Sequence, residues 1–365
     1  ILPSRSTVAL TGFSTMFCTR GRTKWMSSGH DLGYPSGNGA ARFAAKLGGE
    51  CVMEIRNLGT SGLRVSVVGL GCNNFGMRLD VNETRAVVDR AIEKGITLFD
   101  TADMYGARGG SETQLGEVLG ARRKDIVLAS KFGMAMSDDG TKIGGSRRYI
   151  MAAVEDSLRR LKTDWIDLYQ LHQPDPLTPL DETLRAMDDL VTQGKVRYIG
   201  CSNLPAWQVA DSQWISKTGG LSRFVSCQDE YNLLNRAVEA ELLPAMAAHG
   251  CGLLPYFPLA SGLLTGKYKR DAMPEGARLT DMPKFANRTY VTEQNFDIVD
   301  KLDAFATARG HTLLELAFSW MAARPTTASI IAGATKPEQI DSNVAAAGWK
   351  MTAEEIAEVD AITQK

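Results

Sequence analysis

Four residues with proton-transfer chemistry each stand at the end of a short apolar run or just after one. Asp100 and Tyr105 lie in Leu98-Phe99-Asp100-Thr101-Ala102-Asp103-Met104-Tyr105-Gly106, Lys131 in Ala129-Ser130-Lys131-Phe132, and His172 in Leu168-Tyr169-Gln170-Leu171-His172. A carboxylate, a phenol, an ammonium and an imidazole gathered in one place form an acid–base device for a carbonyl oxygen. Carbonyl reduction by a hydride donor needs hydride at carbon and a proton at oxygen as negative charge builds there. A phenol near its ordinary pKa of about 10 is a poor acid at neutral pH. A neighbouring ammonium stabilises the phenolate and lowers that value. Tyr105 is therefore assigned as the acid, Lys131 as its tuner, Asp100 as the partner that holds the lysine, and His172 as the group that orients the carbonyl and serves as a secondary donor. Singly, each has a plainer reading: Asp100 a turn cap, Tyr105 a packed loop aromatic, His172 a satisfied core histidine. Asp103 reads as a turn residue. The joint pattern favours the site, because three consecutive predicted strands each deliver an ionisable group to one rim.

The elements that must position these groups alternate from residue 53 onward. A hairpin is predicted over 54–58 and 64–66, joined by Gly59-Thr60-Ser61-Gly62. Short apolar runs then alternate with amphipathic stretches. Predicted strands cover 67–70, 97–99, 126–130, 166–171, 196–201, 224–228, 252–257 and 329–331. The helices between them cover 83–94, 112–119, 147–161, 180–192, 206–216 and 237–249, then 294–308, 313–323 and 337–346. A tail helix over 353–362 has Thr352 as its N-cap. Eight buried-type strands alternating with helices predict an α/β fold, a (β/α)₈ barrel with an N-terminal hairpin plug and an extra C-terminal helix. The rival open sheet lacks its fingerprint, since Gly69-Leu70-Gly71-Cys72-Asn73-Asn74-Phe75-Gly76 breaks the GxGxxG spacing.

A formal net charge of -1 implies no general affinity for nucleic acid. No apolar run approaches the roughly 18–20 residues of a membrane span. Cys18, Cys51, Cys72, Cys201, Cys227 and Cys251 are scattered, without a CxxC pair. They read as buried free thiols of a reducing, cytoplasmic compartment. With His30, His172, His249 and His311 as the only histidines, no metal site is expected. Residues 1–52 are rich in Ser, Thr, Gly and Arg, carry only Asp31 and Glu50 as acids, and begin with Ile. They read as a disordered leader: an upstream segment before a start at Met53, or a transit peptide with an organellar destination, or least favoured a functional domain. Residues 53–365 are expected to form a single barrel domain.

From Met53 to the C-terminus the chain resembles the aldo-keto reductase superfamily, most closely its bacterial-type members and the potassium-channel β subunits. Phe99-Asp100-Thr101-Ala102, Tyr105-Gly106, Ser111-Glu112 and Leu115-Gly116 are similar to its first signature. Ser130-Lys131 is similar to its strand-three lysine, and Thr163-Asp164-Trp165-Ile166-Asp167-Leu168-Tyr169 with His172 and Pro174-Asp175 to its strand-four segment. The family's Asp, Tyr, Lys, His tetrad falls on Asp100, Tyr105, Lys131 and His172. The resemblance implies a reduced nicotinamide dinucleotide bound without a Rossmann fold. Ser202 and Asn203 would bind the carboxamide with Gln228 as their partner, Asn73 is a further cofactor residue, and Tyr231 is a candidate nicotinamide wall. Leu259, Ser261, Gly262, Leu264, Gly266 and Lys267 would cover the pyrophosphate, and Gly333, Thr335, Lys336, Gln339 and Asn343 the adenosine phosphate at a helix N-terminus.

Many members carry Lys, Ser and Arg where this chain has Gly333, Ala334 and Gln339, and a Glu where it has Ser342. Thr335, Lys336 and Gln339 still favour NADPH over NADH. Cys72, Asn73, Phe75, Met77, Phe132, Met134, Trp207 and the stretch 270–290 are the candidate pocket, an apolar wall for medium-sized aldehydes or ketones. Arg270, Arg278 and Arg288 read as solvated loop charges rather than as an anion site. The expected partner is a small-molecule carbonyl substrate, with no nucleic acid and no membrane; a homo-oligomer is compatible with the sequence. Two other classes compete with the reductase. One is a cofactor-binding, redox-sensing regulatory subunit; the other is a metal-dependent barrel isomerase or hydrolase, which needs several more carboxylates and histidines at the strand ends.

Overall fold

The structure, a computed structural model, describes residues 53–270, 272–275, 278–281 and 290–364. The N-terminal stretch 1–52, Arg288 and the side chain of Arg278 lie outside the described residues. Eight parallel strands form one sheet: Val68–Gly71, Leu98–Asp100, Val127–Phe132, Ile166–Leu171, Val196–Ser202, Phe224–Gln228, Gly252–Leu253 and Ile330–Gly333, called barrel strands one to eight. Strand eight pairs with strand one, Ile330 opposite Val68. The gap between strands seven and eight is closed by main-chain bonds. Leu253 N–H donates to Thr326 O (2.7 Å), Ala328 N–H to Leu253 O (2.9 Å) and Ile331 N–H to Pro255 O (3.0 Å). The result is the expected (β/α)₈ barrel.

Alternation along the strands sets what fills the barrel. Leu98, Ala129 and Leu168, on strands two, three and four, belong to one interior apolar cluster. The hairpin Ile55–Asn57 and Arg64–Ser66 adds Leu58 and Val65 to it, plugging the N-terminal mouth. Its turn needs Gly59, at φ +59°, because a side chain there would strike the backbone of Gly250, Cys251 and Gly252. Successive side chains on a strand face opposite ways, so a step of two keeps the same face. Two residues beyond Leu98, Ala129 and Leu168 come Asp100, Lys131 and Gln170. The barrel interior therefore changes from apolar at the plugged end to charged at the open end. The larger apolar cluster, including Phe99, Leu128, Tyr169 and Ile199, lies between the sheet and the helices.

Helix ends follow the sequence chemistry. Asp80, Thr312 and Thr352 each close a capping box, on Val81–Glu93, Leu313–Ala322 and Ala353–Thr363. Two elements differ from expectation. Strand seven stops at Leu253 rather than 257, since Pro255 offers no N–H to a ladder. The helix after strand six begins at Leu242 rather than 237, preceded by a short 3₁₀ turn, Ala237–Glu239. Pro244 is tolerated only in a first turn, and this fixes the start just ahead of it. Cys72, Cys201, Cys227 and Cys251 are buried free thiols. Among the described residues no helix is long and apolar enough to cross a membrane.

Candidate active site

Lys131 lies fully buried on strand three, and its ammonium has an acceptor for each proton. Nζ donates to Asp100 Oδ2 (2.7 Å), Thr101 O (3.0 Å) and Tyr105 Oη (3.4 Å). Burial alone would pull the ammonium down, but Asp100 and then Tyr105 outweigh it, and its pKa stands above the ordinary lysine value. Because the lysine donates to the phenol oxygen, the phenolic hydrogen is free to point away from it. Asp100 is itself buried, and its other oxygen, Oδ1, accepts from Gln228 Nε2 (2.8 Å) and Gln170 Nε2 (3.4 Å).

Tyr105 is followed by an unusual piece of backbone. Gly106, Ala107, Arg108 and Gly109 all have positive φ (69°, 57°, 70° and 114°). Left-handed backbone costs about 1–2 kcal/mol per non-glycine residue, so Ala107 and Arg108 mark a built-in distortion beside the phenol. Gly106 is obligatory: a Cβ would lie 2.5 Å from Ser111 N and 2.6 Å from Phe75 O. The following helix turn is then tied down. Ser111 Oγ donates to Cys72 O (2.8 Å), while buried Glu112 accepts from Ser130 Oγ and pairs with Arg160 (2.7 Å). From the sequence, Lys131 is expected to bring the phenol down. In this site burial is the larger influence, and the Tyr105 pKa lies above its ordinary value despite the lysine.

His172 stands edge-on to Tyr105, with ring centroids 5.7 Å apart. Its Nδ1 is buried without a hydrogen-bond partner. Burial, and next the Lys131 charge, push the imidazole down to about 3, so it is neutral at physiological pH. Unfolded, the same ring takes a proton near 6.5. Its contribution to stability is therefore complete above 6.5 and is lost as pH falls toward 3. Asp103 and Asp229, both raised by burial to about 7, act in the opposite sense, and their contribution is lost as pH rises from 3.8 toward 7. His172→Gln is expected to flatten the fall in melting temperature as pH is lowered below 6.5; an unchanged acid-side slope would contradict a buried neutral imidazole.

The proposed cofactor residues fall into three groups. Beside the tetrad, Asn203 (φ +61°) donates through Nδ2 to His172 O (3.0 Å) and Ser202 Oγ (2.9 Å), and Ser202 Oγ donates to Gln228 O (2.7 Å). After strand seven, Leu259 precedes a 3₁₀ turn, Ala260–Thr265, with Ser261 and Gly262 at φ 58° and 101° and Gly266 at 76°. The Lys267 stem lies over Gly262, and the Leu264 side chain is fully buried. The N–H groups of Gly262 and Leu264 both bond Leu259 O, so the turn closes on itself rather than offering those donors outward. After strand eight, exposed Gly333 and Lys336 lead into the helix Pro337–Ala346, which holds buried Asn343. Gln339 accepts from the Thr335 N–H (2.7 Å). A Cβ on Gly333 would come within 3.3 Å of Asn74 Nδ2 and 3.4 Å of Asn73 Oδ1, and Asn74 Oδ1 is buried without a partner. Amides beside the tetrad, a tight turn of small residues that permits close approach, and a helix N-terminus without a side-chain cap are compatible with a dinucleotide that spans three loops.

Some expected residues lie elsewhere. Phe75 and Phe132 are fully buried, Phe132 against Tyr169, so neither offers a surface to an incoming molecule. Tyr231 is buried against Trp320 and donates to Glu239, so it is not a wall of the site. Trp207 is 65% exposed and borders a separate crevice with Pro174, Pro176 and Leu204. Asp103 lies in the expected turn but is also buried, accepts from Tyr149 Oη (3.2 Å), and has an unpartnered Oδ1. Arg270 is taken up by Glu293, Asp297 and Asp300. Among the described residues no group of His, Cys, Asp or Glu converges as a metal site. Two participants were missed. Tyr256 donates to Asn203 Oδ1 (2.8 Å); its only signal was an aromatic at the end of the seventh apolar run. Gln170 was signalled by its place between Leu168 and His172, a polar residue on the inward face of an apolar strand.

Residues 67–364 match the model of the Aldo/keto reductase family. A protein of Oryza sativa subsp. japonica named a probable voltage-gated potassium channel subunit beta is 36% identical, across 86% of this chain and 97% of that protein. Versiconal hemiacetal acetate reductase of Aspergillus parasiticus is 34% identical, across 83% and 95%. L-glyceraldehyde 3-phosphate reductase of Escherichia coli (strain K12) is 32% identical, across 84% and 92%. With this coverage of a barrel whose strand ends gather an Asp–Lys–Tyr–His cluster, the chain belongs to the aldo/keto reductase family of NAD(P)H-dependent oxidoreductases.

Proposed function

We propose that this protein reduces an aldehyde or ketone to the alcohol with NADPH, Tyr105 donating the proton. The observation that carries this reading is the position of the Lys131 ammonium, fixed by Asp100 and directed at the Tyr105 oxygen. A bound reduced nicotinamide supplies hydride to the carbonyl carbon. The residues do the rest. Asn203, Ser202 and Gln228 hold the carboxamide end beside the tetrad. Neutral His172 orients the carbonyl oxygen toward Tyr105 by hydrogen bonding. As that oxygen becomes an alkoxide, Tyr105 Oη releases its proton to it, and Lys131 stabilises the phenolate left behind. A phenol above its ordinary pKa suffices, because the acceptor is an alkoxide, a far stronger base. With an imidazole at about 3, His172 carries no spare proton at neutral pH, which leaves Tyr105 as the acid.

The preference for NADPH rests on exposed Lys336 at the N-terminus of the helix Pro337–Ala346, where a 2′-phosphate meets a cation at a helix end that no side chain caps. Gln339 is folded onto Thr335 and adds polarity but no charge. A second reading, a cofactor-binding redox-sensing subunit, is favoured by the relatives named as potassium channel subunits. Rapid turnover with ready cofactor exchange separates the enzyme from it.

Tyr105→Phe is expected to lower kcat for an aromatic aldehyde by about 10²–10⁴-fold, since it deletes only the acid. Cofactor binding, followed by fluorescence, should stay near wild type. Wild-type rates in that variant, measured from nicotinamide absorbance, would sink the assignment. Lys336→Ala is expected to weaken NADPH about tenfold, or about 1.4 kcal/mol, and NADH hardly at all; equal losses would remove Lys336 from 2′-phosphate recognition.

A further inference from the structure

Asp100 is a buried carboxylate with two oxygens and two different sets of partners. Oδ2 holds Lys131, whereas Oδ1 faces across the barrel to amides on strands four and six. In a (β/α)₈ barrel the interior is filled in layers drawn from alternate strands. Asp100, Gln170 and Gln228 occupy strands two, four and six, at one level of the barrel. Gln170 and Gln228 are buried. Ser226 Oγ faces Gln170 Oε1 at 3.5 Å, which orients the Gln170 amide with its N–H₂ toward Asp100. Gly200, opposite Gln170 on strand five, leaves room for this meeting. A Cβ there would strike Ser226 Oγ and lie 3.3 Å from Gln170 Cγ.

We propose that Gln170 is a positioning residue for the reduction, clamping Asp100 Oδ1 together with Gln228 so that Oδ2, and through it Lys131, stays aimed at Tyr105. This rests on the reading of Tyr105 as proton donor. The physical need is plain. A carboxylate in a water-free interior requires hydrogen bonds on both oxygens, or it rotates or takes up a proton. Either response loosens its grip on the lysine. The same clamp settles how Gln228 faces its other neighbour. With Nε2 committed to Asp100, Gln228 presents Oε1, an acceptor, to whatever binds beside Ser202 and Asn203. Gln170 lacks that second duty, so its loss isolates the effect on the acid.

The test compares wild type with Gln170→Met, which keeps length and burial but has no N–H. Two readouts are taken: kcat for aldehyde reduction, and the titration of the Tyr105 phenol by ultraviolet difference, with Tyr105→Phe as the blank. Gln170→Met is expected to lower kcat about tenfold while leaving NADPH affinity unchanged. The phenol titration should move upward by about half a pH unit or more, because Lys131 no longer sits squarely on the phenolate. Gln228→Met should show the same titration shift together with weaker cofactor binding. If Gln170→Met does not fold, Ser226→Ala, which frees the amide to turn, is measured in its place and should shift the titration in the same direction. An unmoved phenol titration in a folded variant overturns the proposal. The phenol titration needs no turnover, so a wild-type protein without reductase activity would refute the functional reading while the clamp is still judged on its own.

Discussion

The structure depends on one buried ion pair, Lys131 with Asp100, inside the open half of a barrel. Removing both charges from water costs several kcal/mol per ion, and their attraction offsets that only when the remaining hydrogen-bonding capacity is met. Here it is met on both sides. The ammonium has Asp100, Thr101 O and Tyr105 as acceptors, and the carboxylate has Gln228 and Gln170 as further donors. Every nearby peculiarity serves this requirement. Gly200 leaves space for Gln170 and Ser226, and Glu112 anchors Ser130, the residue before the lysine. The left-handed run 106–109 follows Tyr105 directly, whose ring lies against the ammonium, and turns the chain into its helix.

The pair also explains how the other two members of the cluster behave. Burial first, and then the fixed cation close by, keep the His172 imidazole from accepting a proton. The cation partly offsets the cost of ionising a buried phenol. One neighbour is thus held neutral, and the other ionises more readily than its burial alone would allow. Two titratable groups whose environments push them to different tasks are the usual signature of an acid–base site.

Much of this was legible in the sequence. The placement of Asp100, Tyr105, Lys131 and His172 at strand ends, the eight strands and the Thr352 cap could be read because strands buried on both faces show as short continuous apolar runs, and helices as a period of 3.6. What escaped depended on contacts between residues far apart in the chain. Gln170 and Gln228 meet Asp100 from positions 70 and 128 residues away, and no local pattern marks such a pairing. Phe75 and Phe132 are expected in the pocket from their place after a strand, and Tyr231 at the nicotinamide wall from the family resemblance, yet packing draws all three inside. Asp103 read as a turn residue because aspartate favours turns; its burial against Tyr149 comes from the helix Arg147–Leu161, which the local sequence does not reveal. The shortened seventh strand was foreseeable, since Pro255 lies in the middle of the run assigned to it.

The measurement that bears most directly on this account is single-turnover hydride transfer in Lys131→Met. The enzyme would be loaded with NADPH and mixed with an aromatic aldehyde, and nicotinamide absorbance followed in a stopped flow. If the buried ammonium supports the phenolate as Tyr105 gives up its proton, the hydride-transfer rate falls by orders of magnitude while cofactor binding and the folded state persist. A variant that is folded, binds NADPH and transfers hydride at close to the wild-type rate would show that the Lys131–Asp100 pair is architectural and that the chemistry is governed elsewhere.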